Sequence, residues 1–147
     1  MDIDKLLATL QQAECEVLHV YKDSLGYDTI GIGHLIKVSE RGMYDGGITH
    51  EQALEILQAD LQPLLTQLSV TFSWFNDLDD VRQRVITEMA FNMGLHGLCQ
   101  FHNTLKAVED VRYDDAANGM LASLWARQVK GRASRMAQMM SSGEDPS

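Results

Sequence analysis

Apolar residues at Ile3, Leu6, Leu7, Leu10 and Ala13 recur three and four positions apart, so residues from about Asp2 to Ala13 read as an amphipathic helix with Asp2 as N-cap. Glu14 then falls at the C-terminal end of that helix, where the macrodipole disfavours a negative charge and a carboxylate needs a local reason. Past it the pattern changes. Val17-Leu18-His19-Val20-Tyr21 and Thr29-Ile30-Gly31-Ile32-Gly33-His34 are β-rich runs on either side of a polar turn holding Asp23, Ser24, Gly26 and Asp28, which predicts a hairpin. Glycines at alternate positions 31 and 33 strip one strand face of side chains and point to a close approach by backbone or ligand. Residues 39–47 read as a loop.

Thr49 and Gln52 form a capping-box pattern that opens a helix. Its apolar positions, Ala53, Leu54, Ile56, Leu57, Leu61, Leu64, Leu65 and Leu68, carry it for about 20 residues, roughly 30 Å of helix. Pro63 lies inside and predicts a bend or early end near Gln62. A further helix, capped by Asn76 or Asp77 and striped by Leu78, Val81, Val85, Met89 and Ala90, should end before Gly94. Shorter helical patterns cover 103–110, 114–124 and 131–140, and residues 141–147 read as a frayed tail. The pattern as a whole is a helical protein with one small sheet.

Composition narrows the function classes. The chain has 147 residues, 45% of them hydrophobic, with 11 Gly and 2 Pro, which suits one folded domain. Twelve Lys and Arg stand against 21 Asp and Glu for a net charge of −9, and no basic run offers a footprint for nucleic acid. No signal peptide and no membrane span are read, and the two cysteines, Cys15 and Cys99, read as reduced thiols of a cytosolic protein. His96, Cys99 and His102 are spaced so that they could supply three metal ligands, but a zinc site needs a fourth ligand or a water, and no metal is expected.

Glu14 precedes Asp23 by nine residues and Thr29 follows it by six, around Gly26-Tyr27-Asp28-Thr29-Ile30-Gly31-Ile32-Gly33-His34. Taken singly, the three are a solvated Glu, a turn-forming Asp and a β-branched strand residue. Jointly, the segment resembles the T4-type phage lysozyme family. Ile48-Thr49, Phe91-Asn92-Met93-Gly94, Phe101-His102-Asn103, and Trp125 followed by Arg132 and Arg135 also fall in family order, so the resemblance covers nearly the whole chain. It implies a predominantly helical α+β fold of two lobes within one domain, residues 1–147. Residues 14–60 would form a small antiparallel sheet-bearing lobe, residues 1–13 and 61–147 a larger helical lobe, with a long helix joining them and the cleft between.

The same resemblance implies hydrolysis of the β-1,4 bond between N-acetylmuramic acid and N-acetylglucosamine in peptidoglycan, without a cofactor. Such cleavage needs a proton for the departing oxygen and a means of tolerating positive charge on the ring, which two carboxylates in different environments can supply. Glu14 is expected as general acid. Asp23 would stay ionised and, with the Thr29 hydroxyl, hold the attacking water, which implies inversion and carboxylates roughly 6.5 to 9.5 Å apart. Leu35, Phe91 and Thr104 match substrate-cleft positions, and Arg132 matches an arginine beside the catalytic glutamate. His34 and Asp60 match a structural pair, and if it forms the His34 pKa should rise.

Two positions depart from the family pattern. Gly119 stands where the cleft has asparagine, and Cys15 stands where glycine usually follows the catalytic glutamate, so Cys15 is strained if that position takes a positive φ. The charge of −9 gives no long-range attraction to an anionic wall polymer, so activity should rise with added salt at low ionic strength. The expectation is a monomeric endolysin for host cell lysis that accumulates in the host cytoplasm, makes no stable membrane association and reaches the periplasm through a holin. The alternatives are a catalytically weak or inactive peptidoglycan-binding module, a prophage or tail-associated lysozyme, and a helical interaction protein. A tail-associated lysozyme would carry assembly domains for which 147 residues leave no room.

Overall fold

A computed structural model describes residues 1–146, and its chain divides into two compact units. Ile3–Pro63 form one; Met1–Asp2 and the chain from Leu64 onward form the other. The elements are mainly helical with one small sheet, as the sequence predicts.

In the first unit, α1 (Ile3–Glu14) buries Leu6, Leu7 and Leu10, the stripe read from the sequence. Its first residue, Ile3, lines a shallow depression with Ala59, Leu61 and Gln62 of α2 (His50–Thr71). Helix α1 lies in the same compact unit as the sheet. The sheet is a meander of β1 (Val17–Lys22), β2 (Asp28–Gly31) and β3 (His34–Leu35), all antiparallel. Tyr21 pairs with Thr29, and Thr29 in turn with Leu35. Directly opposed residues project to the same side, so Tyr21, Thr29 and Leu35 make one row across the three strands.

Gly31 answers the question raised by the paired glycines. A Cβ there would lie 3.5 Å from Ile48 Cδ1 and 3.6 Å from Ala53 Cβ, ordinary contact distances, so the glycine is required by its φ of +69° rather than by lack of space. The capping box forms as read: the Gln52 amide donates to Thr49 Oγ1 at 3.1 Å, and Gln52 Oε1 accepts from the Thr49 amide at 2.9 Å. Ala53, Leu57 and Leu61 give α2 a fully buried stripe.

Pro63 does not end this helix, contrary to expectation. It is exposed, as is Ala59, the residue whose carbonyl loses its hydrogen bond, so water can take the place of the missing donor and the helix runs on to Thr71. The division between the two units nevertheless falls directly after Pro63.

The second unit begins within α2 and adds α3 (Asp80–Cys99), α4 (His102–Glu109), α5 (Tyr113–Leu121), α6 (Leu124–Val129) and α7 (Gly131–Ser142). Its core gathers Leu68, Phe75, Ile86, Met89, Met120 and Met136, with α5 packed on α4 and α7. The cap of α3 is Asp79, whose carboxylate accepts from the Arg82 amide at 3.1 Å, while Asn76 and Asp77 belong to a short 3₁₀ turn. Helical geometry breaks at Gly94 as predicted (φ 79°, ψ 158°), but it resumes and continues to Cys99. Helix α6, most of which falls between the helical patterns read from the sequence, starts on a Ser123 cap.

Residues 141–145 are held, where fraying was expected, and Ser147 lies outside the described residues. Buried Arg84 donates both terminal nitrogens to Asp145, at 2.8 and 3.0 Å, and its Nε to Asp80 Oδ2 at 2.8 Å. Arg82 donates to the carbonyls of Met140 and Ser141 at 2.6 and 2.9 Å and lies 3.5 Å over the Tyr113 ring. Asp80 also accepts the Asp2 amide at 2.5 Å, so both ends of the chain meet one charge network. No helix among the described residues is long and apolar enough to cross a membrane.

Candidate active site

The end of α1 delivers Glu14, half-buried, to the start of the hairpin. Cys15 makes the link at φ +54°, the left-handed conformation anticipated for a glycine position, with its side chain exposed. Two residues on, the Glu16 carboxylate meets His50 Nδ1 at 2.6 Å and ties the start of β1 to the start of α2.

Asp23 is built into the turn that joins β1 to β2. Its Oδ1 accepts from the backbone amides of Leu25 and Tyr27, both at 2.9 Å, and its own amide donates to the Tyr27 carbonyl at 2.9 Å. The bland role of Asp as a turn former is therefore met by one oxygen. Among the described residues Oδ2 carries no protein hydrogen bond, so it can face a reactant. Thr29 is 2% exposed, and its hydroxyl donates to the Tyr27 carbonyl at 3.0 Å. With the hydrogen committed, Thr29 Oγ1 offers only its lone pairs.

Tyr21 was not singled out by the sequence, although it stands two residues before Asp23 and opposite Thr29. Burial raises the pKa of its phenol, and the nearby Asp23 carboxylate raises it further.

His34 forms the expected pair with Asp60, Nδ1 to Oδ2 at 2.8 Å, and is 5% exposed. The sequence reading missed the second carboxylate. Glu40 Oε1 lies 3.0 Å from His34 Nε2, and Glu40 also accepts from the Lys37 amide at 3.0 Å and the Tyr44 hydroxyl at 2.9 Å. An imidazole that meets a carboxylate at each nitrogen is best served by carrying both protons. The Asp60 hydrogen bond raises the His34 pKa against the opposing effect of burial, and Glu40 adds to the rise. Burial works to raise the Glu40 pKa, but its bonds to Lys37, Tyr44 and His34 outweigh that and hold it below the usual range.

The remaining expected positions divide. Leu35 is exposed in the row with Tyr21 and Thr29, as a contact for an external ligand would be. Phe91 is half-buried on α3. Thr104 is only 5% exposed, and a Cβ built on Gly119 would collide with its Oγ1, so the threonine fills the space left by the absent side chain at 119. Arg132 donates Nε to Glu88 Oε2 at 2.8 Å, and Arg135 reaches the same oxygen at 2.6 Å. Glu88, 2% exposed, carried no signal in the sequence beyond lying on the buried side of α3. His96 and His102 are exposed, and among the described residues no group of three His, Cys, Asp or Glu side chains is arranged to hold a metal ion. Cys15 and Cys99 are free thiols.

A half-buried glutamate at a helix end, an aspartate fixed in a hairpin turn and a buried threonine on the facing strand are the residue types that the expected carboxylate chemistry calls for. The family model for phage lysozyme matches residues 11–139, and the chain belongs to that family. It is a glycoside hydrolase, a lysozyme that hydrolyses peptidoglycan. Among its relatives, "Probable T4-type lysozyme 1" of Dictyostelium discoideum is 30% identical, over 91% of this chain and 92% of its own length. "Endolysin" of Salmonella phage P22 is 30% identical over 84% of this chain and 82% of its own length. The "Pre-baseplate central spike protein Gp5" of Enterobacteria phage T4 is 33% identical over 86% of this chain, but over only 26% of its own length.

Proposed function

We propose that this lysozyme cleaves the β-1,4 bond between N-acetylmuramic acid and N-acetylglucosamine with inversion, Glu14 protonating the departing sugar oxygen while Asp23 and Thr29 hold the attacking water. The observation that carries the reading is the Asp23 carboxylate, pinned in the turn through Oδ1 by the Leu25 and Tyr27 amides while its Oδ2 carries no protein hydrogen bond among the described residues. The polar bookkeeping agrees with it. Asp23 Oδ1 and the Thr29 hydrogen are already committed to backbone, so a water between Asp23 Oδ2 and Thr29 Oγ1 donates both its hydrogens and turns a lone pair towards the anomeric carbon. Leu35, exposed beside Thr29, supplies apolar contact to a sugar ring.

Reducing-end release from purified sacculi tests it. Glu14→Gln should lower the rate by roughly 10²–10⁴-fold with the folded state retained. Asp23→Asn should be severely impaired, and the first product of the unaltered enzyme should be the α-anomer by NMR. Near-normal turnover of Glu14→Gln would remove Glu14 from the mechanism, and an initial β-anomer would make Asp23 a covalent nucleophile.

In the cell this reading is of a monomeric endolysin that collects in the host cytoplasm and reaches the wall when a holin opens the inner membrane. The likeness to a spike protein favours a second reading, a tail-associated lysozyme. Recovery of the protein in purified virions would select the second, and its absence from virions with lysis lost on deletion would select the first.

A further inference from the structure

We propose that the junction of α6 and α7 is a docking surface for the carboxylates on the peptide stems of peptidoglycan, with Arg127 and Lys130 as its cations. Charge is spread very unevenly along this chain. It carries 21 Asp and Glu, yet residues 116–143 contain none, and that same stretch holds Arg127, Lys130, Arg132 and Arg135. Successive members are two or three positions apart, so neighbouring Cα atoms lie within about 11 Å, comparable with the screening length of roughly 8–10 Å. Lys130 is itself the link, closing α6 and opening α7, and its carbonyl accepts the Ala133 amide at 2.9 Å.

Most other cations are matched by acids. Lys22, Arg82, Arg84, Lys106 and Arg112 each meet a carboxylate at 2.6 to 3.3 Å. Lys37 and Arg41, exposed in the sheet-bearing unit, form no salt bridge among the described residues, but they line one depression with Asp28, Glu40 and Asp45. At the α6–α7 junction Glu88 engages Arg132 and Arg135, whereas Arg127 and Lys130 are exposed and bridge to no carboxylate among the described residues. Asp114, on the neighbouring α5, is bonded to Ser141 at the far end of α7, roughly 16 Å of helix from Lys130. With a net charge of −9 the protein as a whole is repelled by a polyanion, so attraction has to be local. The stem peptides repeat free carboxylates along the polymer that this enzyme hydrolyses, which suits two exposed cations three positions apart. Docking of this kind needs peptidoglycan as the substrate but not the roles given to Glu14 and Asp23, and it is measured apart from turnover.

Co-sedimentation with purified Gram-negative sacculi, in the cold before digestion advances, tests it. Arg127→Gln combined with Lys130→Gln should bind about fivefold more weakly than the unaltered protein at about 20 mM salt, and the gap should close to within about twofold at about 300 mM. Lys37→Gln combined with Arg41→Gln removes the same charge from the other unit and should weaken binding by less than about twofold. Both pairs are exposed and unbridged, so the melting temperature should hold in each. Converting the stem carboxylates to amides with carbodiimide and ammonia should abolish the gap. Equal weakening by the two pairs would reduce the effect to net charge and overturn the proposal, as would a gap that survives amidation. Unchanged binding to sacculi would also overturn it, and weaker binding to phosphatidylglycerol vesicles would then give the patch to a lipid surface.

Discussion

Each unit buries a charge between two of the opposite sign, and one such centre in the helical unit, which also holds Arg84 between Asp80 and Asp145, mirrors the centre in the sheet-bearing unit. In the sheet-bearing unit His34 sits between Asp60 and Glu40; in the helical unit Glu88 sits between Arg132 and Arg135. The difference lies in which partner can lose its charge. A guanidinium is never neutral near physiological pH, so the Glu88 centre is fixed, whereas the His34 centre depends on a proton that imidazole releases in the neutral range. The sheet-bearing unit, which also carries Glu14 and Asp23, therefore owes part of its cohesion to a proton released in the neutral range.

The largest effect should come from breaking the fixed centre. Glu88→Gln keeps the shape but withdraws the charge that both arginines share. Removing one member of a buried pair typically costs about 3–5 kcal/mol. Arg135 is partly exposed and can turn to water, so about 2–4 kcal/mol is expected here. Urea unfolding measures it, and a cost near zero would place the cluster with ordinary surface pairs.

A smaller, pH-dependent effect is expected at His34. Its folded pKa lies above the ordinary 6.5, so its contribution is complete below that value and is lost as pH rises through the folded pKa. Glu40 works in the other direction. Its folded pKa lies below the ordinary 4.5, so its contribution is present above that value and is lost as pH falls through the folded pKa. The sheet-bearing unit should be firmest from about pH 4.5 to 6.5 and loosen towards alkaline pH. Amide exchange of Ile30, bonded into β3, should quicken between pH 6 and 8.5 beyond the intrinsic dependence of exchange, and Asp60→Asn should flatten that response. An equal response in both proteins would mean that the proton is not held by this pair.

What could be read from the sequence follows the range of the interaction. The capping box, the α1 stripe, the hairpin and the break at Gly94 depend on residues a few positions apart, and all of them formed. Pro63 misled because its cost depends on whether the freed carbonyl of Ala59 faces water. The tail misled because its order comes from Arg82 and Arg84, about sixty positions away. At the site, Glu14, Asp23, Thr29 and the His34–Asp60 pair were named from a resemblance. Glu40 was missed because its approach to His34 is made by a loop with no periodicity to read. Glu88 was missed because a lone Glu on an apolar stripe gives no sign of two arginines arriving from α7.

The smallest effect concerns how each unit ends a helix. In the helical unit α7 closes on Gly143 at φ +70°, where the absence of a side chain makes the left-handed conformation free of strain. In the sheet-bearing unit α1 closes on Cys15 at φ +54°, where a Cβ crowds the backbone by about 1–2 kcal/mol. Cys15→Gly relieves that strain and loses no buried contact, since the side chain is exposed. Glycine also gains freedom in the unfolded chain, which takes back part of the benefit, so the net gain should be about 0.5–1 kcal/mol. Val111, an exposed β-branched residue at φ +62° in the helical unit, is the control, and Val111→Gly should gain at least as much. If Val111→Gly stabilises and Cys15→Gly does not, the turn beside Glu14 is relaxed with cysteine in place, and the contrast between the two helix ends is lost.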